Sequence, residues 1–148
     1  MTRQRIDLAA VSSRAAGLVC ELEGALRGEG LMDDRLRELV RIRVAQLNGC
    51  AYFLARRSQE ALRLGERQEP LNELPGWRDS ALFTEPERAA PALAEVMTRL
   101  PSNGVPDAEY GQAERLLGPY SLGILIIAIS VANALDRMCL AARHCSLH

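Results

Sequence analysis

Asn48-Gly49 separates two stretches of helix-period sequence with nothing but a turn between them. Ahead of it, Leu36, Leu39, Val40 and Leu47 share one helix face, and Asp33 or Asp34 is placed to cap the start. After it a second helix opens at Cys50 and runs to about Leu64, ahead of Gly65. Glycine ends an α-helix in the left-handed conformation because it has no Cβ to clash there. Two helices joined this tightly fold back on each other, so the chain is constrained to contain an antiparallel α-hairpin.

The rest of the chain has the same grammar. Between Ile6 and about Arg27, the residues Leu8, Val11, Ala15, Leu18, Leu22 and Ala25 alternate steps of three and four, which predicts one amphipathic helix ending at Gly28 and Gly30. Pro70, Pro75 and Gly76 predict a short helix and a turn. Thr84-Glu85-Pro86-Glu87 has the form of a capping box opening a helix to about Arg99. Pro91 falls inside that helix and predicts a kink or a break, since an interior proline costs about 3 kcal/mol. A loop over 101–106, a helix over 107–117, a break at Gly118-Pro119 and a long helix over 121–143 follow. Composition agrees: with 48% hydrophobic but only 4% aromatic residues, the interior must be aliphatic, which favours helices. The expectation is an all-α bundle of about six to seven helices in one domain spanning 1–148, with 1–30 as an N-terminal helix.

Several function classes are disfavoured. A net charge of −1, with 18 basic and 19 acidic residues interspersed, offers no field for nucleic acid. Arg14 and its neighbouring serines interrupt the N-terminal apolar run before signal-peptide length, and the run Leu122–Leu135 is shorter than the roughly 20 residues of a membrane span. A cytoplasmic protein without a membrane segment is expected. Cys20, Cys50, Cys139 and Cys145 form no close pair in sequence and no metal-like cluster, which predicts free thiols. No metal spacing and no Gly-rich phosphate loop is present, so no cofactor is implied.

The candidate site lies on the hairpin. Cys50, Phe53 and Arg57 fall on one stripe of the second helix, and the turn would bring Glu38 of the first helix towards them. A thiol in the first turn of a helix lies near the positive end of the macrodipole, and Arg57 would also favour the thiolate. The same thiol on an apolar face fits a small buried hydrophobe equally. Glu38, flanked by Arg35 and Arg41, is either half of an ion pair or a proton acceptor buried beside Cys50. Phe53 fits core and Arg57 fits a solvated charge as readily as either fits a ligand contact. His144 and His148 fall in the tail, which reads as disordered.

The run from Glu38 to Asn48-Gly49-Cys50-Ala51, the stretch GERQEPLNELPGWRDSALFTEPERAA at 65–90 and IAISVANALDRM at 127–138 resemble the AhpD-like branch of the carboxymuconolactone decarboxylase family, over about residues 31–143. The resemblance implies an all-helical bundle assembled as trimers or hexamers, often through dimers. It also implies a peroxidase site made of a Glu, a Cys-x-x-Cys pair and a His four residues on. By position the Glu is Glu38 and the first Cys is Cys50, the family's resolving thiol. Phe53 stands where the peroxide-attacking Cys would be, and Arg57 where the His would be. Phe53 cannot form a disulfide, and Arg57 holds its proton. The decarboxylase branch also relies on a His.

Three functions are therefore open: a peroxidase-type redox protein with weak or no dithiol activity, recycled by an external thiol; a non-catalytic oligomeric scaffold or binder of a small anionic ligand, with Arg57 paired to Glu38 or to that ligand; and a lyase or isomerase using Glu38 as base while Arg57 holds a carboxylate. Self-association as a dimer, trimer or hexamer is expected from the resemblance and from the apolar seam of the first helix, a seam that could equally be core.

Overall fold

The computed structural model describes residues 3–28, 30 and 32–147. They form α1 (Leu8–Val11), α2 (Ser13–Ala25), α3 (Asp34–Asn48), α4 (Ala51–Arg63), α5 (Gln68–Glu73), a 3-10 helix (Leu74–Asp79), α6 (Glu85–Thr98), α7 (Asp107–Leu117) and α8 (Pro119–Ala142), with no strand among the described residues. The all-α expectation holds, with eight α-helices rather than six to seven.

α3 and α8 are the two central helices. α3 packs on α4, α6 and α8, and α8 also meets α2, α6 and α7. Val40 and Val44 of α3 meet Leu93 of α6 and Leu125 and Ile129 of α8 in one core cluster, where Ala89, Ala90, Ala94 and Ala113 let the helices approach closely. A second cluster joins Ala45 and Cys50 at the hairpin turn to Phe53, Val131, Leu135 and Cys139. A third sets Leu39 and Ile42 against Leu74, Trp77 and Phe83. By length and composition α8 could cross a membrane, yet half of that apolar window is buried in the bundle, as in a core helix.

The hairpin forms as its sequence requires. Asp33 caps α3, and Gly49 ends it at φ 67°. The amides of Gly49 and Cys50 then donate to the carbonyls of Gln46 and Ala45 at 3.3 and 3.0 Å, a Schellman closure that leaves Cys50 as the first residue before α4. The capping box at Thr84 and Glu87 is present in both directions.

Three expectations are corrected. The first helix is two, because Ser12 adopts extended backbone and its Oγ accepts from the Ala15 amide at 3.2 Å to start α2. The apolar seam of Val11, Ala15, Leu18, Leu22 and Ala25 lies on the outside, and α2 instead buries Ala16, with Val19 and Cys20 partly covered. The expected break at Pro91 does not occur: α6 continues from Glu85 to Thr98 with Pro91 buried inside it, so tertiary burial accompanies the missing amide bond. The tail is held as well: Leu147 is buried, and His144 Nε2 lies 3.9 Å from Asp7 Oδ1. His148 lies outside the described residues.

Candidate functional site

The hairpin turn lays Cys50 against the last third of α8. Cys50 is 1% exposed, and its Sγ lies 3.7 Å from Sγ of Cys139. Cys139 is in turn joined by a disulfide to Cys145, six residues on. The expectation of unpaired cysteines is thus overturned. α8 ends at Arg143 in the left-handed conformation, and the tail turns back to place Cys145 beside Cys139. The Arg5 amide holds that turn by donating to the Ala142 carbonyl at 2.9 Å.

The lowered thiol pKa expected at Cys50 is also reversed. Burial pushes the thiol up, and the Asp136 charge acts in the same direction. The Phe53 and Tyr52 amides at the start of α4 and the Arg57 charge pull it down, and burial prevails.

Phe53 and Arg57 touch each other, with the guanidinium carbon 4.6 Å from the ring centroid. Phe53 belongs to the cluster around Cys50. Arg57 is not a solvated charge. It is 1% exposed, and its Nη2 lies 2.8 Å from Oδ1 of Asp136, which is fully buried. Among the described residues the Arg57 Nε has no hydrogen-bond partner. Arg57 also donates to the carbonyls of Arg41 at 2.9 Å and Ala132 at 3.4 Å. Burial pushes the Asp136 carboxyl up against the pull of Arg57 and Asn48, and it pushes the Arg57 guanidinium down.

Glu38 is buried but is turned to other partners. Arg41 Nη1 donates to both its carboxylate oxygens, at 2.7 and 2.9 Å, and Arg37 Nε approaches at 3.4 Å. Arg41 also pairs with Glu23 of α2. Among the described residues no hydrogen bond or ion pair joins Glu38 to Cys50 or to Arg57, so the carboxylate beside the thiol is Asp136.

Asp136, Asn133 and Cys139 repeat every three residues along α8, and that spacing is the signal that marks one face behind the turn. Asn48 donates to Asn133 Oδ1 at 3.0 Å and to Asp136 Oδ2 at 3.1 Å, and Asn133 donates to Thr98 Oγ1 at 3.0 Å. The end of α3 is thereby fixed to α8 and α6. A groove of about 750 Å³ opens on the other side, between α2, α4 and the tail. Phe53, Arg57, Cys20 and Cys145 line it, whereas Cys50 and Cys139 lie behind its wall. No group of three His, Cys, Asp or Glu side chains suited to a metal occurs among the described residues.

A buried thiol in contact with a disulfide can exchange bonds with it, and the groove gives one of the three sulfurs an approach from solvent. The chain is similar to the uncharacterized protein YdfG of Bacillus subtilis, 26% identical over 138 residues and 93% of each chain. It superposes with TM-score 0.88 and 26% identity on an Agrobacterium tumefaciens protein of unknown function proposed to be the antioxidant defence protein AhpD, covering 95% of this chain and 96% of that one. An uncharacterized peroxidase-related protein from Silicibacter sp. TM1040 shares the fold at TM-score 0.76 and 18% identity, over 86% of this chain and 68% of that one. Residues 2–96, which carry the α3–α4 hairpin with Glu38 and Cys50, match the model of the carboxymuconolactone decarboxylase family, and the chain belongs to that family.

Proposed function

We propose that this protein is a thiol-dependent peroxidase of the AhpD-like branch whose second sulfur comes from α8 rather than from a Cys-x-x-Cys pair. The observation that carries this reading is the 3.7 Å contact between the Sγ atoms of Cys50 and Cys139, since Phe53 provides no sulfur at the usual position. The likeness to a protein proposed for antioxidant defence supports it. In the reaction a thiolate attacks a hydroperoxide oxygen, the O–O bond breaks and an alcohol leaves. The resulting sulfenic acid condenses with a neighbouring thiol to a disulfide and water. Two equivalents of an external thiol restore the dithiol and leave as their own disulfide, a cycle suited to a thiol-rich compartment such as the cytoplasm.

The test is hydroperoxide consumption with excess dithiol, comparing the wild type with Cys139→Ser. Turnover that is lost in the variant is the expected result, and no turnover above the protein-free rate overturns the proposal. A second reading, a scaffold or binder of a small anion, draws on the unpartnered Arg57 Nε at the groove wall. A silent assay favours it. Base catalysis by Glu38 loses its geometric support, because Arg41 and Arg37 occupy that carboxylate.

A further inference from the structure

Three sulfurs meet where one disulfide and one thiol can be drawn in two ways. Cys139 is the shared member: it is bonded to Cys145 and lies in van der Waals contact with Cys50. The two ends differ in surroundings. Cys50 is sealed behind Phe53 and the end of α8, whereas Cys145 is half-buried on a tail beyond the helix and lines the groove. Cys139 and Cys145 also lie outside residues 2–96, so two of the three sulfurs come from the part of the chain that the family match does not reach.

We infer that Cys50, Cys139 and Cys145 form a disulfide-exchange relay, in which Cys145 is the sulfur that meets peroxides and external thiols and Cys50 is an internal thiol that releases it. The inference rests on the peroxidase reading for its substrates, while the exchange itself needs no outside reagent. The Cys50 thiolate attacks Sγ of Cys139, the Cys50–Cys139 bond forms, and the Cys139–Cys145 bond breaks. The electron pair leaves on Cys145, which takes up the proton that Cys50 gave up. The number of disulfides is unchanged. Cys145 emerges as a free thiol in the groove, and the oxidised pair is stored behind the wall. The reverse step returns the disulfide to the groove, where an external dithiol reduces it by attack on Cys145, the electron pair leaving on Cys139. Because the attacking species is a thiolate and burial holds Cys50 protonated, exchange quickens as pH rises.

Disulfide mapping of the folded protein tests this. The full chain is reduced, oxidised with diamide, held at mildly alkaline pH, quenched with acid, alkylated and digested. The wild type is expected to give both the 139–145 and the 50–139 linkages, with the complementary thiol alkylated in each. Cys145→Ser should give only 50–139, Cys50→Ser only 139–145, and Cys139→Ser neither. A wild type that holds 139–145 alone at every pH, together with a Cys145→Ser variant that forms no 50–139 bond, overturns the relay. So does abundant 50–145 linkage in the wild type, the mark of scrambling in an opened chain. Diamide makes the result independent of peroxide turnover. Interconverting linkages with a silent peroxidase assay would remove the proposed activity and leave the relay, and turnover undiminished in Cys145→Ser would do the reverse for the assignment of Cys145.

Discussion

At the scale of single residues, the position where the family resemblance places a histidine holds a buried cation, and Asp136 is what makes it tolerable. An ion pair without solvent is strongly destabilised when one member is removed, because the other remains charged and buried, by about 3–5 kcal/mol in comparable cases. Arg57→Met is therefore expected to lose stability of that order at neutral pH in urea melts, and Arg57→Met with Asp136→Leu to lose less than the single change. The pH dependence has a definite sign. Burial raises the folded pKa of Asp136 above its unfolded value, so its contribution is fully present below the ordinary carboxyl range and is lost as pH rises through the folded pKa. Taking away Arg57 raises that folded pKa further, so the variant should recover part of its loss in mild acid. A deficit that stays constant with pH, or a double variant worse than the single one, would mean that Arg57 contributes packing on Phe53 and not charge.

Among the elements, α6 is locked to its neighbours by one carboxylate. Glu95 accepts from the Trp77 indole at 2.9 Å and from Arg43 Nε of α3 at 3.0 Å, and pairs with Arg78 at 2.9 Å, so α3, the 3-10 helix and α6 meet on it. Burial pushes this carboxyl up, but the hydrogen bonds from Trp77, Arg78 and Arg43 outweigh it and hold the pKa below the usual range. Its stabilisation is therefore present above the unfolded carboxyl pKa and lost as pH falls through the lower folded value. Glu95→Gln should cost about 1.5–3 kcal/mol at neutral pH, the range for hydrogen bonds to a charged group, and should flatten the acid limb. Trp77 is the only tryptophan, so its fluorescence reports the melt directly; a wild-type melting temperature and acid midpoint in the variant would remove the clamp. What the sequence made legible at this scale was local chemistry. Asp33, Gly49 and Thr84 announced the ends of α3 and the start of α6 because caps act within a turn. The buried face of α2 was not legible, since two stripes of that helix are apolar and only α8 decides between them. Pro91 did not break its helix for the same reason: its cost is local, but its compensation is tertiary. At the site, the stripe of Cys50, Phe53 and Arg57 was readable from helical spacing. Their partners Asp136 and Cys139 were not, because nothing near the hairpin says that it lies against α8.

For the whole molecule, the outer face of α1 and α2 remains to be explained. Val11, Leu18 and Leu22 are 67%, 54% and 47% exposed, on the seam whose spacing fitted self-association and core equally. Aliphatic side chains repeated along one helix face gain by removal from water, at about 25 cal/mol per Å² of apolar surface. The family resemblance implies assembly from like subunits, and the expected occupant is a second copy of this chain. α2 also supplies Cys20 and Gly24 to the groove that Cys145 lines, so a copy seated on α2 would stand beside the groove mouth and limit what reaches the sulfur. Light scattering after size exclusion should therefore give a mass of two or more chains for the wild type. Leu18→Glu with Leu22→Glu should shift that mass to one chain and leave the helical circular dichroism unchanged, because substitutions at exposed positions usually move monomer stability by no more than about 0.5 kcal/mol each. Peroxide turnover per chain separates the roles of the face: a monomeric variant that keeps the wild-type rate uses α2 for assembly alone, and one whose KM for bulky hydroperoxides falls uses it to narrow the groove. A wild type that runs as a single chain at every concentration would rule out the α2 face as a subunit interface.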